Sequence, residues 1–323
     1  MSQLAIVFPG QGSQYLGMGE ALTQSSSAAA AVFAEADAAL GESLSQLCFS
    51  GPEDDLNLTV NSQPAILATS IAYTYALEER LGRLPEVSFY AGHSMGQYSA
   101  MVAAGVLSLS DGIRLVRERG RQMQASASDG AMAAIIGLDE ARLPELLDAG
   151  AALGVFTLAN RNSPGQIVVS GERAAVEGAA TVARELGAKR ALVLMVSVAA
   201  HSPLMSLAAE RMGVALESVS FSEPRAPLLA NSDARLLTTG EECRAELVEH
   251  LTRGVDWIAA VNHMTAAGVA RFVEPGPGKV LTGLIKRIAP EAETYPLDDQ
   301  SSPGRLATPE FLSPTVDPTG ATA

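Results

Sequence analysis

Short apolar runs alternate along this chain with longer stretches whose apolar residues recur every three or four positions, the pattern of an α/β protein. Leu4 to Phe8 reads as a buried strand that runs into the turn Pro9-Gly10-Gln11-Gly12-Ser13-Gln14. Residues 64–81 read as a mostly buried helix, Val87 to Ala91 as a second strand ending at Gly92, and Tyr98 to Ala104 as the start of another helix. From 131 to 197 the rhythm changes. AMAAIIGL is strand-like, EARLPELLDAG helical, VFTLAN and QIVVSG are strands joined by RNSPG, RAAVEGAATVARELGA is helical, and RALVLMVSV is strand-like again. That order, β-α-β-β-α-β, predicts a ferredoxin-like α+β unit. Because α/β patterning resumes with ARFVEPGPGKVL, the unit reads as an insertion into a larger domain with a parallel sheet. The expected division is residues 1–130 and 198–292 for the large domain and 131–197 for the small one. Residues 293–323, rich in Pro, Ser, Thr and Gly, are expected to be a disordered tail.

Composition narrows the function. With 47% hydrophobic and 18% charged residues among 323, the chain has enough apolar material for a sizeable core. No apolar run reaches the ~18 residues of a membrane span, and the start MSQLAIVFPGQG lacks the basic region of a secretory signal. Two cysteines, Cys48 and Cys243, build neither a disulfide framework nor a zinc site, so no metal and a reducing, cytoplasmic setting are expected. Thirty-six acidic against 22 basic residues leave a net charge of −14, a poor match for nucleic acid or an anionic membrane. An anionic partner must therefore meet a local basic patch.

Gly92-His93-Ser94-Met95-Gly96 matches G-x-S-x-G, preceded by the strand-like SFYA and followed by a helix pattern. That is the setting of a nucleophile elbow, where a serine sits on a sharp turn whose neighbours must lack bulk. Its base has four candidates. His93, inside the elbow, is poorly placed to reach back to Ser94. His250 reads as solvated at the end of a polar helix, and His263 as a surface or half-buried residue. His201 follows a strand at the junction between the two units, where a site is expected, though spacing alone favours a structural role, the commoner one for a lone histidine. The amide after the serine, that of Met95, is one expected oxyanion donor. The loop Gly10-Gln11-Gly12 could supply a second, or be only a tight turn.

Together these motifs resemble the malonyl-CoA:acyl-carrier-protein transacylase family, which includes acyltransferases of fatty-acid and polyketide synthesis. The resemblance runs from residue 4 to about 290 and is carried by FPGQGSQYLGMG (8–19), NSQPAI (61–66), GHSMGQYSA (92–100), RERGRQMQ (117–124), GAMAAIIGL (130–138), NRNSPGQIVVSG (160–171), SVAAHSPLM (197–205) and EPGPGKVLTGLIKRI (274–288). It implies a large α/β-hydrolase-like domain carrying the inserted ferredoxin-like one. Ser94 would be the nucleophile, His201 its base, and Gln11 and Met95 the oxyanion donors. A backbone carbonyl near the VDW segment, at Asp256, would orient the histidine. Arg119, which composition alone reads as a surface arginine, would hold the free carboxylate of the acyl group. Gln63, Asn162, Gln166, Arg190 and Ala200 would line the cleft. Ala199 and Ala200 would leave room beside C2 of the acyl group. Arg190, Lys286 and Arg287 would form the basic patch for coenzyme phosphates or an acidic carrier.

The implied reaction is ping-pong transfer of a malonyl group from malonyl-CoA to the phosphopantetheine thiol of an acyl carrier protein. It needs no permanently bound cofactor, and a monomer is the default expectation. Alternatives are a methylmalonyl or other extender-unit transferase, a carrier-to-carrier transacylase, a thioester hydrolase, and a non-catalytic docking subunit. A carboxylate-binding arginine argues against the hydrolase, since clearing varied acyl chains gains nothing from it.

Overall fold

The computed structural model describes residues 3–126, 129–194, 198–299, 302 and 304. In chain order the strands among them are β1 (Gln3–Phe8), β2 (Phe89–Gly92), β3 (Gly130–Ile136), β4 (Phe156–Ser163), β5 (Gln166–Glu172), β6 (Arg190–Val193), β7 (Leu228–Leu229), β8 (Leu236–Leu237), β9 (Val255–Asp256), β10 (Val269–Pro275) and β11 (Glu293–Leu297). They form two sheets, of order β11-β10-β1-β2-β7-β8 and β6-β3-β5-β4-β9.

The first sheet is parallel from β11 to β7, with β8 antiparallel at its edge. Its central strand shows why the sequence there is an unbroken apolar run. Leu4, Ile6 and Phe8 enter one core, shared with Ala65, Ile66 and Tyr98 from helices Thr59–Leu81 and Gly96–Ala103. Ala5 and Val7 enter another, with Trp257, Val261 and Ile285 from helices Trp257–Ala266 and Val280–Ile288. A parallel strand covered on both faces has no polar side to show. β1 and β2 run in register, Phe8 opposite Gly92, so the loops leaving both strands emerge together at the carboxyl end of the sheet. Ligands of open α/β sheets bind in the crevice at that end.

The second sheet places β3, β4, β5 and β6 antiparallel in the order 6-3-5-4. One face is closed by helices Leu143–Ala151 and Arg173–Glu185, whose Leu146, Val176 and Ala180 pack on Ala133, Ile135 and Val169.

Four expectations change. The strand expected over 190–198 is regular only over Arg190–Val193, and 195–197 lie outside the described residues. The helix expected from Pro64 begins at Thr59, so Pro64 lies inside it, and it ends at Gly82 with φ 78°. Residues 255–256, expected in the large domain, pair with β4 instead, Asn160 against Val255 and Arg161 against Asp256. Residues 293–297, expected in the disordered tail, are an edge strand beside β10. Its buried Leu297 gives it an apolar anchor, and its Pro296 is tolerated because an edge strand leaves one row of backbone groups unpaired. The remainder of the expected tail lies almost wholly outside the described residues. Among the described residues no helix is long and apolar enough to cross a membrane.

Candidate active site

The turn after β2 is as tight as the G-x-S-x-G pattern demands. A Cβ on Gly92 would lie 2.0 Å from the carbonyl carbon of Gly96, and one on Gly96 would lie 2.2 Å from the Phe8 carbonyl oxygen. Only glycine fits either position. Ser94 between them takes φ 53°, a left-handed conformation that a residue with a Cβ rarely adopts. Gln97, fully buried, fastens the following helix. Its Oε1 accepts the Gly92 N–H at 3.2 Å, and its Nε2 donates to the Leu229 carbonyl at 3.0 Å.

His201 meets Ser94 across the sheet end, with Nε2 2.8 Å from Oγ. It too is left-handed, at φ 60°, and buried. Its Nδ1 faces two backbone carbonyls, His250 at 2.6 Å and Arg253 at 3.0 Å. Carbonyls only accept, so this network assigns the proton to Nδ1 and leaves the Nε2 lone pair for the serine hydroxyl. Burial, with the Arg119 guanidinium close by, pushes the His201 pKa down to about 4, against the pull of the His250 carbonyl. The imidazole is therefore neutral at pH 7 and able to take a proton.

Asp256 does not orient this histidine. The carbonyls that do belong to the turn after helix Gly240–Glu249, where main-chain acceptors are left over at a helix end. Asp256 instead caps helix Trp257–Ala266, its Oδ1 accepting the Ala259 N–H at 2.9 Å, and pairs through Oδ2 with Arg161 at 2.8 Å. His250, expected to be solvated, is fully buried, its ring 6.2 Å from that of His201 and 5.9 Å from that of Tyr98. Burial, then Arg119 and His201, hold its pKa well below the usual range. His263 is half-buried and stands edge-on to Phe89.

Arg119, from helix Leu109–Ala125, brings a cation to the site. It is 1% exposed. Nη1 donates to Gln63 Oε1 at 2.8 Å and Nη2 to Ser94 Oγ at 3.1 Å, while Nε has no hydrogen-bond partner among the described residues. No carboxylate pairs with this guanidinium among the described residues, and burial pulls its pKa down to about 10. Gln63 thus fixes Nη1, while Nη2 reaches the serine; Nε and Nη2 together form the edge of the fork that takes a carboxylate in two parallel bonds.

Of the remaining candidates, Met95 is buried at the N-cap of the elbow helix, directly after Ser94. Gln11 lies on the loop leaving β1, its side chain donating to Thr59 Oγ1 at 3.1 Å. That loop packs on the elbow: a Cβ on Gly10 would lie 2.6 Å from the His93 carbonyl oxygen. Ala200 is buried directly before His201, and Ala199 lies against Gly130. Asn162 is buried and bonded through Oδ1 to His93 Nε2 at 2.8 Å, a link from the small sheet to the elbow. Gln166 accepts from Arg287 at 2.7 Å, and Arg190, Lys286 and Arg287 are exposed. Reading the sequence missed His250, Arg253 and Asn231, the last of which accepts the Ser94 N–H on Oδ1 at 2.8 Å. Main-chain acceptors and an asparagine in a loop carry no pattern that announces them.

A serine hydroxyl bonded to a neutral imidazole, with an unpaired cation beside it, is the arrangement of a serine acyl-transfer centre on an α/β scaffold. The comparisons agree with that class. Residues 5–297 match the family described as the acyl transferase domain, and the chain belongs to that family. It is 43% identical over 304 residues to the malonyl CoA-acyl carrier protein transacylase of Escherichia coli K12, covering 94% of this chain and 98% of that protein. The crystal structure of acyl-carrier-protein-S-malonyltransferase from Bartonella henselae superposes with a TM-score of 0.91 at 44% identity, covering 94% of this chain and 98% of that one. A malonyl-transacylase solved in complex with a type II polyketide synthase acyl-carrier protein superposes at 0.90 with 42% identity, covering 95% and 99%.

Proposed function

We propose that this protein transfers a malonyl group from malonyl-CoA to the phosphopantetheine thiol of an acyl carrier protein through a Ser94 ester. The observation that carries the reading is Arg119, a buried guanidinium with no carboxylate partner among the described residues, bonded to the nucleophile through Nη2. A buried charge left unpaired is costly, and an acyl group that ends in a carboxylate removes that cost once it is bound.

His201 Nε2 takes the hydroxyl proton as Ser94 Oγ attacks the thioester carbon. The amides of Met95 and Gln11 receive the developing oxyanion. The C–S bond breaks, coenzyme A leaves as the thiol with the proton from His201, and malonyl stays on Oγ with its carboxylate on Arg119. The carrier thiol then gives its proton to His201 and attacks the ester, and the proton returns to Ser94 as the new thioester departs. The Nδ1–H bonds to His250 and Arg253 stabilise the imidazolium formed in each half-reaction. No permanently bound cofactor takes part.

The 6-3-5-4 strand order supports a ferredoxin-like inserted unit over 131–197, extended by β9. The parallel sheet with its elbow supports a hydrolase-like large unit, reaching to β11. We read the enzyme as a cytoplasmic monomer whose exposed Arg190, Lys286 and Arg287 meet the acidic carrier or the coenzyme phosphates.

Intact mass after incubation with malonyl-, methylmalonyl- or acetyl-CoA tests the substrate. An adduct of one malonyl group, absent in Ser94→Ala, is expected. An adduct from methylmalonyl-CoA alone would make the space beside Ala199 and Ala200 the determinant, and an acetyl adduct as fast as malonyl would defeat the role of Arg119.

A further inference from the structure

We propose that Asn231 is a positioning residue for the nucleophile, holding the left-handed elbow in place by accepting the Ser94 amide hydrogen. The inference rests on the reading of Ser94 as the acyl-accepting serine. Asn231 follows β7 and is buried. Three contacts pin it. Its N–H donates to Glu246 Oε1 at 2.7 Å, its carbonyl accepts the Asp256 N–H at 2.7 Å, and its Oδ1 accepts the Ser94 N–H at 2.8 Å. Glu246 is itself fully buried and meets Arg235 through its other oxygen at 3.3 Å. The amide orientation is set by chemistry: turned over, Asn231 would bring its own N–H₂ against the Ser94 N–H.

The bond matters because of where it sits. Ser94 holds φ 53° against its intrinsic preference, and such conformations persist only where the surroundings over-determine them. The peptide joining His93 to Ser94 is fixed at its carbonyl by the Gly96 N–H at 3.0 Å and at its N–H by Asn231. Without the Asn231 oxygen, a half-buried amide loses its acceptor and that peptide plane can turn, which swings Oγ away from the 2.8 Å contact with His201. A displacement near 1 Å costs about 10²-fold in rate. Asn231 touches neither the acyl group nor the coenzyme in the mechanism above, so its removal slows the step without weakening binding.

The test is the saturating rate of Ser94 modification by two electrophiles, malonyl-CoA and phenylmethylsulfonyl fluoride, followed by intact mass. Asn231→Ala is expected to lower both rates about 10²-fold while the half-saturating malonyl-CoA concentration shifts by less than about threefold. Asn231→Asp keeps an acceptor oxygen and is expected to recover most of the loss. Hydrogen–deuterium exchange on the wild-type chain gives a check that needs no variant: the Ser94 amide should exchange far more slowly than an exposed loop amide. Wild-type rates in Asn231→Ala, equal losses in Ala and Asp, or a fast-exchanging Ser94 amide would each overturn the proposal. A wild-type protein that is sulfonylated at Ser94 but takes no acyl group from malonyl-CoA would defeat the substrate reading instead, and the sulfonylation rates would then decide the role of Asn231.

Discussion

Replacing Arg119 should change which acyl group the protein accepts. The guanidinium is 1% exposed, anchored by Gln63 and bonded to Ser94, with no carboxylate near it among the described residues. A malonyl ester would supply one. Removing one partner from a buried, hydrogen-bonded charge pair costs about 3–5 kcal/mol. At ~1.4 kcal/mol per tenfold, Arg119→Ala should slow acylation by malonyl-CoA about 10²- to 10⁴-fold. Acetyl-CoA carries no carboxylate and meets an unpaired buried cation in the wild type, so its rate should hold or rise. Single-turnover acylation with each thioester measures the ratio directly. The same burial predicts a second effect. Arg119→Met replaces an uncompensated charge with an apolar chain of similar length, and should stabilise the free protein by about 1 kcal/mol or more. A malonyl-to-acetyl ratio unchanged in Arg119→Ala would refute the reasoning, as would an Arg119→Met protein that unfolds more easily while still preferring malonyl.

Three further outcomes follow from the site. Acylation should hold from pH 7 toward pH 5 and fall through about pH 4, because the base must be neutral and burial has lowered the folded-state pKa of His201 from 6.5 to about 4; the sign is that of a depressed histidine, whose stabilising contribution is present above the unfolded value and lost as pH falls toward the folded one. A rate that halves near pH 6.5 would contradict it. Asp256→Ala should lose about 1 kcal/mol of stability from the helix cap yet acylate within a few-fold of wild type, since the carbonyls of His250 and Arg253 hold His201; a large loss of acylation with little loss of stability would restore Asp256 to the site. Gly96→Ala should cost at least about 3 kcal/mol in chemical denaturation, because its Cβ would meet the Phe8 carbonyl oxygen at 2.2 Å, and a variant of ordinary stability would show that the elbow relaxes.

What the sequence made legible follows the strength of its local constraints. The elbow could be read because backbone contact at 2.0–2.2 Å forces glycine at 92 and 96, and the order of the small unit because strand and helix periods differ. The burial of Arg119 could not be read from its own helix, where Arg114, Arg117 and Arg121 offer three similar residues; only the resemblance singled it out. The groups on His201 Nδ1 are main-chain carbonyls, which any residue supplies, so the motif near Asp256 pointed to the wrong stretch. His250 looked solvated because Glu246 and Glu249 precede it, yet Glu246 is itself buried, spent on Asn231 and Arg235. β9 and β11 were missed for a common reason: two residues and a proline-bearing edge carry too little pattern to mark a strand, and only the neighbouring strands define them.

The central claim is that malonyl passes through Ser94 to a carrier thiol. Its most direct measurement is a chase. The protein is loaded from malonyl-CoA, freed of excess coenzyme, and mixed with an acyl carrier protein bearing phosphopantetheine, while both intact masses are followed. The account predicts that the malonyl group leaves the enzyme, maps to Ser94 before it leaves, and appears in equal amount on the carrier. Free malonate with an unchanged carrier, or loading that survives Ser94→Ala, would contradict it.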